Sequence, residues 1–295
     1  MKLSDHIAHC RIDKPGSFRL GDHNPAETCG LDIEKKEAKE LLAGDVKQLS
    51  NLQERLYAEG RWAVLLIFQA MDAAGKDSAI KHVMSGVNPQ GCQVYSFKAP
   101  SAVELSHDFI WRTTLALPER GKIGIFNRSY YEEVLIVRVH PELLGPQKLP
   151  PKLVTDSIWN DRFESIRNFE RHIVGNGTMI LKFFLNISKD EQRRRFLSRI
   201  EEPAKRWKFS MGDVAERGLW ERYMHTYEDM IRNTSTPEAP WHVIPADNKW
   251  FTRLMVARTI VAELERLAPQ FPKVEGPALK ELEGARQALM SEEAK

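Results

Sequence analysis

Five short apolar runs alternate with amphipathic segments along the chain. The runs are Ala63–Gln69, Gln93–Phe97, Lys122–Asn127, Thr178–Leu185 and Trp241–Pro245. Continuous apolar runs of this length are typical of strands buried on both faces, and helical segments between them favour right-handed βαβ units. The pattern therefore predicts an α/β fold with a parallel sheet and helices on both faces. In such a sheet, ligands bind at the carboxyl ends of the strands.

The segments outside this alternation predict two flanking regions. Residues 1–30 are polar and interrupted by Gly and Pro, which indicates an irregular N-terminal arm. A charged helical pattern over residues 32–59 opens the main domain, which we place at residues 31–270. Residues 271–295 form a Glu-rich tail, and we expect a helix there that is either solvated or in contact with another subunit.

Composition excludes several classes of protein. The 295 residues carry a net charge of only +2, so any site for a polyanion must come from local clustering. No apolar run reaches the roughly 18 residues of a membrane-spanning helix. The three cysteines are odd in number and lack a metal-ligand spacing, which argues against a disulfide framework or a zinc site. We therefore expect a cytoplasmic protein that does not bind a membrane.

The strongest motif is a strand followed by a small-residue turn and a lysine. Ala63–Gln69 leads into Ala70–Gly75, and Lys76 opens a helical segment. A loop of this kind directs backbone N–H groups and a helix N-terminus at an anion, and the lysine adds a full charge. Asp72 lies inside the loop and would repel phosphate unless a cation lay between them, which predicts a polyanion bridged by a metal. A strand-to-helix turn with a solvent-facing lysine is the alternative.

Two further segments support phosphate chemistry. The third run ends in Asn127, a residue able to contact a hydrated metal, and Arg128 follows with a guanidinium that can bind phosphate through two hydrogen bonds. Residues 193–208 hold seven basic and two acidic residues, and Pro203 interrupts the helix there. Such a segment is typical of a basic lid that closes over phosphates. For residues 127 and 128, the alternative is a turn-forming Asn followed by a surface Arg. For residues 193–208, the alternative is a solvated helix face.

Four blocks occur in an order that resembles the polyphosphate kinase 2 family. They are Ala70–Asp77, Phe126–Val134, Pro203–Lys208 and Ala239–Lys249. The resemblance covers about residues 30–269 and implies a three-layer P-loop kinase-like fold, similar to thymidylate kinase, with a basic helical lid at about residues 190–220. Asn rather than Asp at position 127 resembles the class that phosphorylates both AMP and ADP.

The resemblance also implies roles for particular residues. Catalysis is expected from Asp72, Lys76, Asn127 and Arg128, with Asp72 and Asn127 as contacts to Mg²⁺, for which Mn²⁺ can substitute. Polyphosphate is expected to lie along Ala73, Ala74, Gly75, Lys76, Asp77, Arg195, Arg199, Lys205, Arg206 and Lys208. The nucleotide is expected near Asn127, Arg128, Tyr130, Tyr131 and Glu133.

The implied reaction moves a phosphoryl group from inorganic polyphosphate to AMP and ADP, giving ADP and ATP. Adenine nucleotides are the expected partners, with guanine nucleotides as a second option, and a homo-oligomer (dimer or tetramer) is expected. An ATP-dependent nucleoside monophosphate kinase is the alternative, although Ala70 and Asp77 depart from the loop that holds ATP. A nucleic-acid-binding module is a third possibility, but few aromatics accompany the basic segment.

Overall fold

The computed structural model describes residues 3–28, 30, 31, 33 and 35–292. Its strands are β1 (Ala63–Gln69), β2 (Cys92–Ser96), β3 (Ile123–Asn127), β4 (Thr178–Asn186) and β5 (Trp241–Pro245). Its α-helices are α1 (Leu3–Cys10), α2 (Lys35–Glu59), α3 (Lys76–Val83), α4 (Ala102–Leu105), α5 (Trp111–Thr114), α6 (Ile136–Val139), α7 (Ile158–Gly175), α8 (Lys189–Glu201), α9 (Met211–Gly218), α10 (Trp220–Thr234), α11 (Lys249–Leu267) and α12 (Pro277–Glu292). Short 3₁₀ helices cover Pro15–Ser17, Leu20–Asp22, Pro89–Gly91, Tyr130–Val134, Pro141–Gln147, Pro151–Leu153 and Pro203–Lys208.

The strands form one parallel sheet in the order β2-β3-β1-β4-β5. In β1 every residue is buried, because helices cover both faces of this central strand. After β1 the chain forms β2 and β3 on one side of that strand and then crosses to form β4 and β5 on the other side, so the strand order reverses around β1. A crevice opens at such a reversal, outside the carboxyl ends of the strands. The predicted α/β fold is confirmed.

Two helical layers enclose the sheet. On one face α11 packs against α2, α3, β4 and β5, and on the other α7 packs against β4 and α10. Amphipathic spacing in α7 buries Phe163, Ile166 and Ile173 in the core. The two helical layers cover the faces of the sheet but not its carboxyl edge. The loops at that edge are therefore free to form a ligand site.

The predicted strands match the observed ones closely. The limits of β1 and β5 agree at both ends, β3 and β4 differ by one residue at one end, and β2 is shifted by one residue at both ends. Strand limits were predictable because each apolar run is bounded by polar or turn-forming residues. The helix expected over 32–59 is observed as α2, from Lys35 to Glu59, while residues 32 and 34 lie outside the described part of the chain.

The N-terminal arm is more ordered than its composition indicated. Residues 3–10 form α1, so the expectation of an irregular arm is wrong there, whereas residues 1, 2 and 29 lie outside the described residues. Phe18 and Leu20 are buried, and the Ile12 amide donates a 2.9 Å hydrogen bond to the carbonyl of Trp241 beside β5. The burial of these apolar side chains ties the arm to the sheet edge.

The C-terminal tail differs from the arm in having no buried side chain along α12. Its apolar residues Leu279, Leu282, Leu289 and Met290 are all exposed. A helix there agrees with the prediction for residues 271–295, of which 293–295 lie outside the described residues. Whether this helix is solvated or contacts a subunit stays a prediction.

Candidate active site

A cleft of about 600 Å³ lies at the carboxyl ends of the strands. Its described lining residues come from the loops after β1, β2, β3 and β5 and from the segment that contains α8. They are Asp72, Ala73, Gly75, Lys76, Asp77, Ser78, Ser96, Phe97, Lys98, Ala99, Asn127, Arg128, Arg195, Ser198, Arg199, Lys205, Lys208 and Lys249. Eight of these are basic and two are acidic, so the cleft concentrates positive charge that the near-neutral whole chain does not have.

The loop Ala70–Gly75 between β1 and α3, called the phosphate loop below, has the backbone geometry of an anion-binding turn. Ala73 has φ +62° and Gly75 has φ +106°, and α3 begins immediately afterwards at Lys76. A left-handed conformation costs free energy at a residue with a side chain, and such strain is concentrated at functional sites. The loop therefore directs the N-terminus of α3 into the cleft.

Lys76 lies against the loop that precedes it. Its Nζ donates a 3.0 Å hydrogen bond to the carbonyl of Ala70, and its side chain is buried. Burial lowers the pKa of Lys76, and the nearby Asp72 carboxylate opposes that shift. The ammonium is thus held in place before any phosphate binds.

Asp72 and Arg128 meet across the cleft. Arg128 Nη2 lies 3.1 Å from Asp72 Oδ1, and Glu132 lies 3.7 Å from the other end of the guanidinium. Glu132, and after it Asp72, raise the pKa of Arg128, which is therefore charged at any physiological pH. Arg128 has φ +67°, so it is a second strained residue in this cleft.

Asn127 bridges two of the predicted site elements. Its Nδ2 donates a 2.6 Å hydrogen bond to Asp77 Oδ1, which joins the end of β3 to the first turn of α3. The structure thus brings together Asp72, Lys76, Asp77, Asn127 and Arg128, as the sequence predicted. Because the side-chain amide nitrogen of Asn127 donates its hydrogen bond to Asp77, Asn127 Oδ1 is the atom available to a metal or a hydrated ligand.

Arg195 occupies a different position from the one predicted for a lid residue. Its side chain is only 8% exposed and lies beneath the phosphate loop. It donates to the carbonyls of Ala73, Ala74, Ala246 and Asp247 at 2.6–3.0 Å, and to Glu191 at 2.8 Å. These bonds occupy the guanidinium donors. Arg195 therefore lines the cleft and also supports the loop, and its predicted contact with polyphosphate stays a prediction.

The lid segment presents the remaining predicted cations. Lys205 and Lys208 line the cleft, and Arg199 does so while paired with Asp213 of α9 at 3.1 Å. Arg206 is exposed, but its Nε donates to the carbonyl of Ile200 and it is not a lining residue. Pro203 ends α8, as expected, because proline cannot continue the helix.

Tyr130 and Tyr131 lie in the core rather than in a nucleotide pocket. Both side chains are fully buried, and both hydroxyls donate to Glu170 Oε1 at 2.9 and 2.7 Å. Lys182 completes the cluster with a 2.6 Å ion pair to Glu170. Charged groups at this depth need partners, and the tyrosine hydroxyls provide them. The expectation that these tyrosines contact a nucleotide is therefore wrong for this structure.

Glu133 lines a second, mostly apolar cavity of about 290 Å³ beside the cleft. The two spaces share Phe97, Lys98, Ala99 and Arg128. The remaining lining residues are Pro100, Leu105, Arg112, Glu132, Glu133, Ile136, Val137, Leu143, Pro146 and Gln147. The cavity is thus an apolar extension of the charged cleft, with Arg128 at the junction.

Lys98 and Lys249 are cleft residues that sequence reasoning did not assign to the site. Lys98 follows β2 and Lys249 opens α11 after β5, so both stand beyond the carboxyl end of a strand. Burial, followed by Arg195 and Lys205, lowers the pKa of Lys249. Their position after a strand was the available signal, because every such loop of a parallel sheet opens onto the same edge.

A divalent metal fits this cleft only with help from the substrate. Among the described residues, no group of three or more His, Cys, Asp and Glu side chains could hold an ion. Mg²⁺ in phosphoryl-transfer sites typically takes one or two carboxylates together with phosphate oxygens and waters. Asp72 uses one carboxylate oxygen for Arg128, which leaves the other available for such an ion.

Comparison with known sequences decides the family. Residues 32–272 match the family described as Polyphosphate kinase 2. The chain belongs to the polyphosphate kinase 2 family. It is 56% identical to an ADP-polyphosphate phosphotransferase of Rhodopseudomonas palustris, over 94% of this chain and 99% of the relative. It is 47% identical to an AMP/ADP-polyphosphate phosphotransferase of Meiothermus ruber, over 90% and 95%.

Solved structures agree with this assignment. The crystal structure of a polyphosphate kinase 2 from Arthrobacter aurescens has a TM-score of 0.86 and 40% identity, and the match covers 96% of this chain and 95% of that one. The chain is thus a polyphosphate-dependent nucleotide phosphotransferase with a P-loop kinase-like fold, as the sequence predicted. No helix in the described part of the chain is long and apolar enough to cross a membrane.

Proposed function

We propose that this enzyme transfers a terminal phosphoryl group from inorganic polyphosphate to AMP and to ADP. The observation that carries the proposal is a cleft with two different halves. One half is lined mainly by charged and polar residues, whereas the adjoining cavity is mostly apolar. A long inorganic polyanion fits the first half, and the base of a nucleotide fits the second.

The donor would lie along the phosphate loop and beneath the lid. Lys76 and the N-terminus of α3 would contact its terminal phosphates, and Lys205 and Lys208 would neutralise units farther along the chain. Lys98 and Lys249 extend this positive lining on the body side of the cleft. Polyphosphate needs many cations and offers no base, which suits these residues better than ATP would.

The acceptor would enter from the apolar cavity. Arg128 stands where the cavity meets the cleft, so its guanidinium could bind the acceptor phosphate while the base lies among apolar side chains. Binding would release Asp72 from its 3.1 Å pair with Arg128. In the reaction, the bridging P–O bond of the donor breaks and a bond to the acceptor oxygen forms, and the shortened polyphosphate leaves with the electron pair.

Positioning and charge neutralisation account for the chemistry. An acceptor phosphate is already ionised near neutral pH, so no strong general base is needed, and none is placed in the cleft by this proposal. Lys76 and Arg128 would stabilise charge on the transferring group from opposite sides. Asp72 and Asn127 would hold Mg²⁺ together with substrate oxygens, and the ion would supply further neutralisation of phosphate charge. Mn²⁺ has the same preference for oxygen ligands.

The name of one relative includes AMP and ADP as acceptors, whereas that of the other includes ADP alone. The acceptor range is tested by incubating purified protein with polyphosphate and Mg²⁺, with either AMP or ADP and without ATP, while ADP and ATP are followed over time. We expect both conversions, and loss of both when Mg²⁺ is chelated. Formation of ATP from ADP, with AMP left unchanged across a range of concentrations, would contradict the dual range.

The assembly and location of the enzyme are further expectations. The exposed leucines of α12 favour a homo-oligomer, either a dimer or a tetramer, which light scattering would test. A cytoplasmic location rests on the cysteine pattern and on a substrate pool of nucleotides. Fractionation of cells would test it.

A further inference from the structure

Three polar side chains form a fixed group at the wall of the apolar cavity. Glu133 and Gln147 both line that cavity, and together with Arg162 they also line a smaller neighbouring cavity of about 80 Å³. Gln147 Nε2 donates a 2.7 Å hydrogen bond to Glu133 Oε2, and Arg162 Nη1 lies 3.3 Å from the same oxygen. The side chains of Glu133 and Arg162 are about 6% and 5% exposed, so this ion pair is almost completely withdrawn from water.

The orientation of the Gln147 amide is determined by its neighbours. Arg162 can only donate, and its Nη2 donates to Gln147 Oε1. Burial raises the pKa of Glu133, and Arg162 opposes that shift; the oxygen that accepts from Arg162 cannot donate, so the amide N–H₂ faces it. An unrestrained amide can rotate and present either a donor or an acceptor, but this one cannot. It keeps a second N–H for another partner.

Glu133 likewise keeps an unused acceptor. Its Oε2 receives the bonds from Gln147 and Arg162, while Oε1 receives none from any residue that the structure describes. Oε1 is not one of the described buried side-chain atoms that lack a partner, so it is open to the space that Glu133 lines and can accept a hydrogen bond there. The cavity wall therefore presents a fixed acceptor on Glu133 beside a fixed donor on Gln147.

We propose that this acceptor–donor pair recognises nucleobases that carry an exocyclic amino group next to an unprotonated ring nitrogen. Adenine and cytosine present that donor–acceptor order on the edge away from the sugar. Hypoxanthine and uracil present the reverse order, with a carbonyl in place of the amine and a protonated ring nitrogen. With the reversed order, the carbonyl of the base would face the Glu133 carboxylate, and the ring N–H of the base would face the Gln147 amide N–H. The inference rests on the proposed entry of the acceptor from the apolar cavity.

Arg162 acts as a positioning residue in this arrangement. Its Nη1 also donates 2.8 Å to the carbonyl of Glu133, and its guanidinium lies over the ring of Phe109 at 5.1 Å. These contacts hold the Arg162 guanidinium in place, and the guanidinium in turn orients the Gln147 amide. A purely structural ion pair would not need an amide held in one orientation at a cavity surface.

The test compares kcat/KM for matched acceptors that differ by one amine-to-carbonyl exchange, namely AMP against IMP and CMP against UMP. We expect the wild-type enzyme to prefer the amino base in each pair by at least about tenfold, the scale of a hydrogen bond to a charged group. Glu133→Gln introduces an amide that can donate, and we expect both ratios to fall towards one. Because each ratio is measured within one protein, the folded fraction cancels.

Glu164→Gln makes the same substitution at an exposed position of α7 and should leave both ratios unchanged. If Glu133→Gln fails to fold, Gln147→Leu leaves the Glu133–Arg162 pair intact and should still lower both ratios. Equal kcat/KM for AMP and IMP in the wild type, or ratios unchanged in either folded variant, would overturn the proposal.

A fourth variant separates this proposal from the placement of the acceptor. Leu143→Trp fills the apolar cavity at a partly exposed position and should raise the KM for AMP while leaving that for polyphosphate unchanged. If Leu143→Trp has that effect but the base ratios do not respond to Glu133→Gln, only the reading of the base fails. If Leu143→Trp does not change the KM for AMP, the acceptor lies elsewhere and both proposals fail.

Discussion

Basic residues have different environments at the base of the cleft and in the lid. We call the phosphate loop and the buried cations beneath it the floor, and the residues from about 190 to 220 that cover the cleft the lid. On the floor, Lys76 and Arg195 are buried and hydrogen-bonded to backbone carbonyls of the phosphate loop and its neighbour. In the lid, Lys205 and Lys208 are partly or fully exposed and lie in a short turn after α8. Buried cations have fixed positions, whereas exposed ones retain side-chain entropy and are screened by salt.

Two arginines one helical turn apart illustrate the difference. Arg195 has its guanidinium donors directed at four backbone carbonyls and one carboxylate, whereas Arg199 pairs with Asp213 of the lid and lies over the ring of Phe196. Removing a floor cation should therefore damage stability or the chemical step. Removing a lid cation should weaken the binding of polyphosphate.

The largest expected effect is on the floor, at Arg195. Arg195→Ala leaves loop carbonyls and Glu191 without their buried donor, and we expect a loss of about 3–5 kcal/mol in the free energy of unfolding. Denaturant titration with activity assays would measure it. Arg194→Ala is the matched control, since Arg194 also pairs with Glu191 but its side chain is 69% exposed. Equal losses in the two variants would show that Arg195 does not support the loop.

Lys76→Met should reduce kcat by at least about 10²-fold, the scale of one lost contact to transition-state charge. Its stability should change little, because the variant removes a buried charge along with its hydrogen bond. Lys81→Met, at an exposed position of the same helix, should leave kcat unchanged. A near-normal kcat in folded Lys76→Met protein would remove this lysine from the donor site.

The lid should respond more weakly. Lys208→Gln should raise the KM for long polyphosphate about threefold while leaving that for AMP unchanged, since exposed charge pairs contribute roughly 0.2–1 kcal/mol. Arg206→Gln removes the same charge from the same turn outside the cleft lining and should change neither KM. Added salt should reproduce the Lys208 effect. Equal shifts in both variants would show that overall charge, rather than position, controls donor binding.

The smallest expected effect concerns how the lid is attached. His140 Nε2 lies 3.0 Å from Glu216 Oε2 on α9, and this hydrogen bond, opposed by partial burial, raises the pKa of His140. A raised folded-state pKa stabilises the attachment fully below the unfolded value of about 6.5, and that stabilisation is lost as pH rises through the folded pKa.

As the pH rises from about 6.5 through the folded-state pKa of His140, amide hydrogen exchange in α9 should therefore become faster. The increase should exceed the intrinsic pH dependence of the amide exchange rate. His140→Gln should abolish the additional acceleration. If α9 in the wild type shows only the intrinsic pH dependence, the ion pair does not attach the lid.

The contrast between floor and lid also explains where sequence reasoning failed. Arg195 and Arg199 are four residues apart on one face of α8, but this spacing could not show that one turn lies beneath the phosphate loop and the next beside the lid. Tyr130 and Tyr131 come two and three residues after Arg128, yet the 3₁₀ turn over Tyr130–Val134 directs both into the core. Closeness of two residues in the sequence does not show whether their side chains are buried to the same extent.

The sequence by itself determined the sheet, the phosphate loop and the family. Apolar runs of strand length, a turn of small residues and a following lysine are local patterns, and local patterns are set by backbone sterics and by the burial of apolar side chains. That is why β1, Lys76 and the lid break at Pro203 lie where they were expected.

Only the tertiary structure decided which charged side chains enter the cleft and which support it. Glu133, Gln147 and Arg162 are brought together from three separate segments, and the direction of one amide depends on all three. The energy of a charge depends on its burial and on partners that are distant in the chain. Those quantities exist only once the chain has folded.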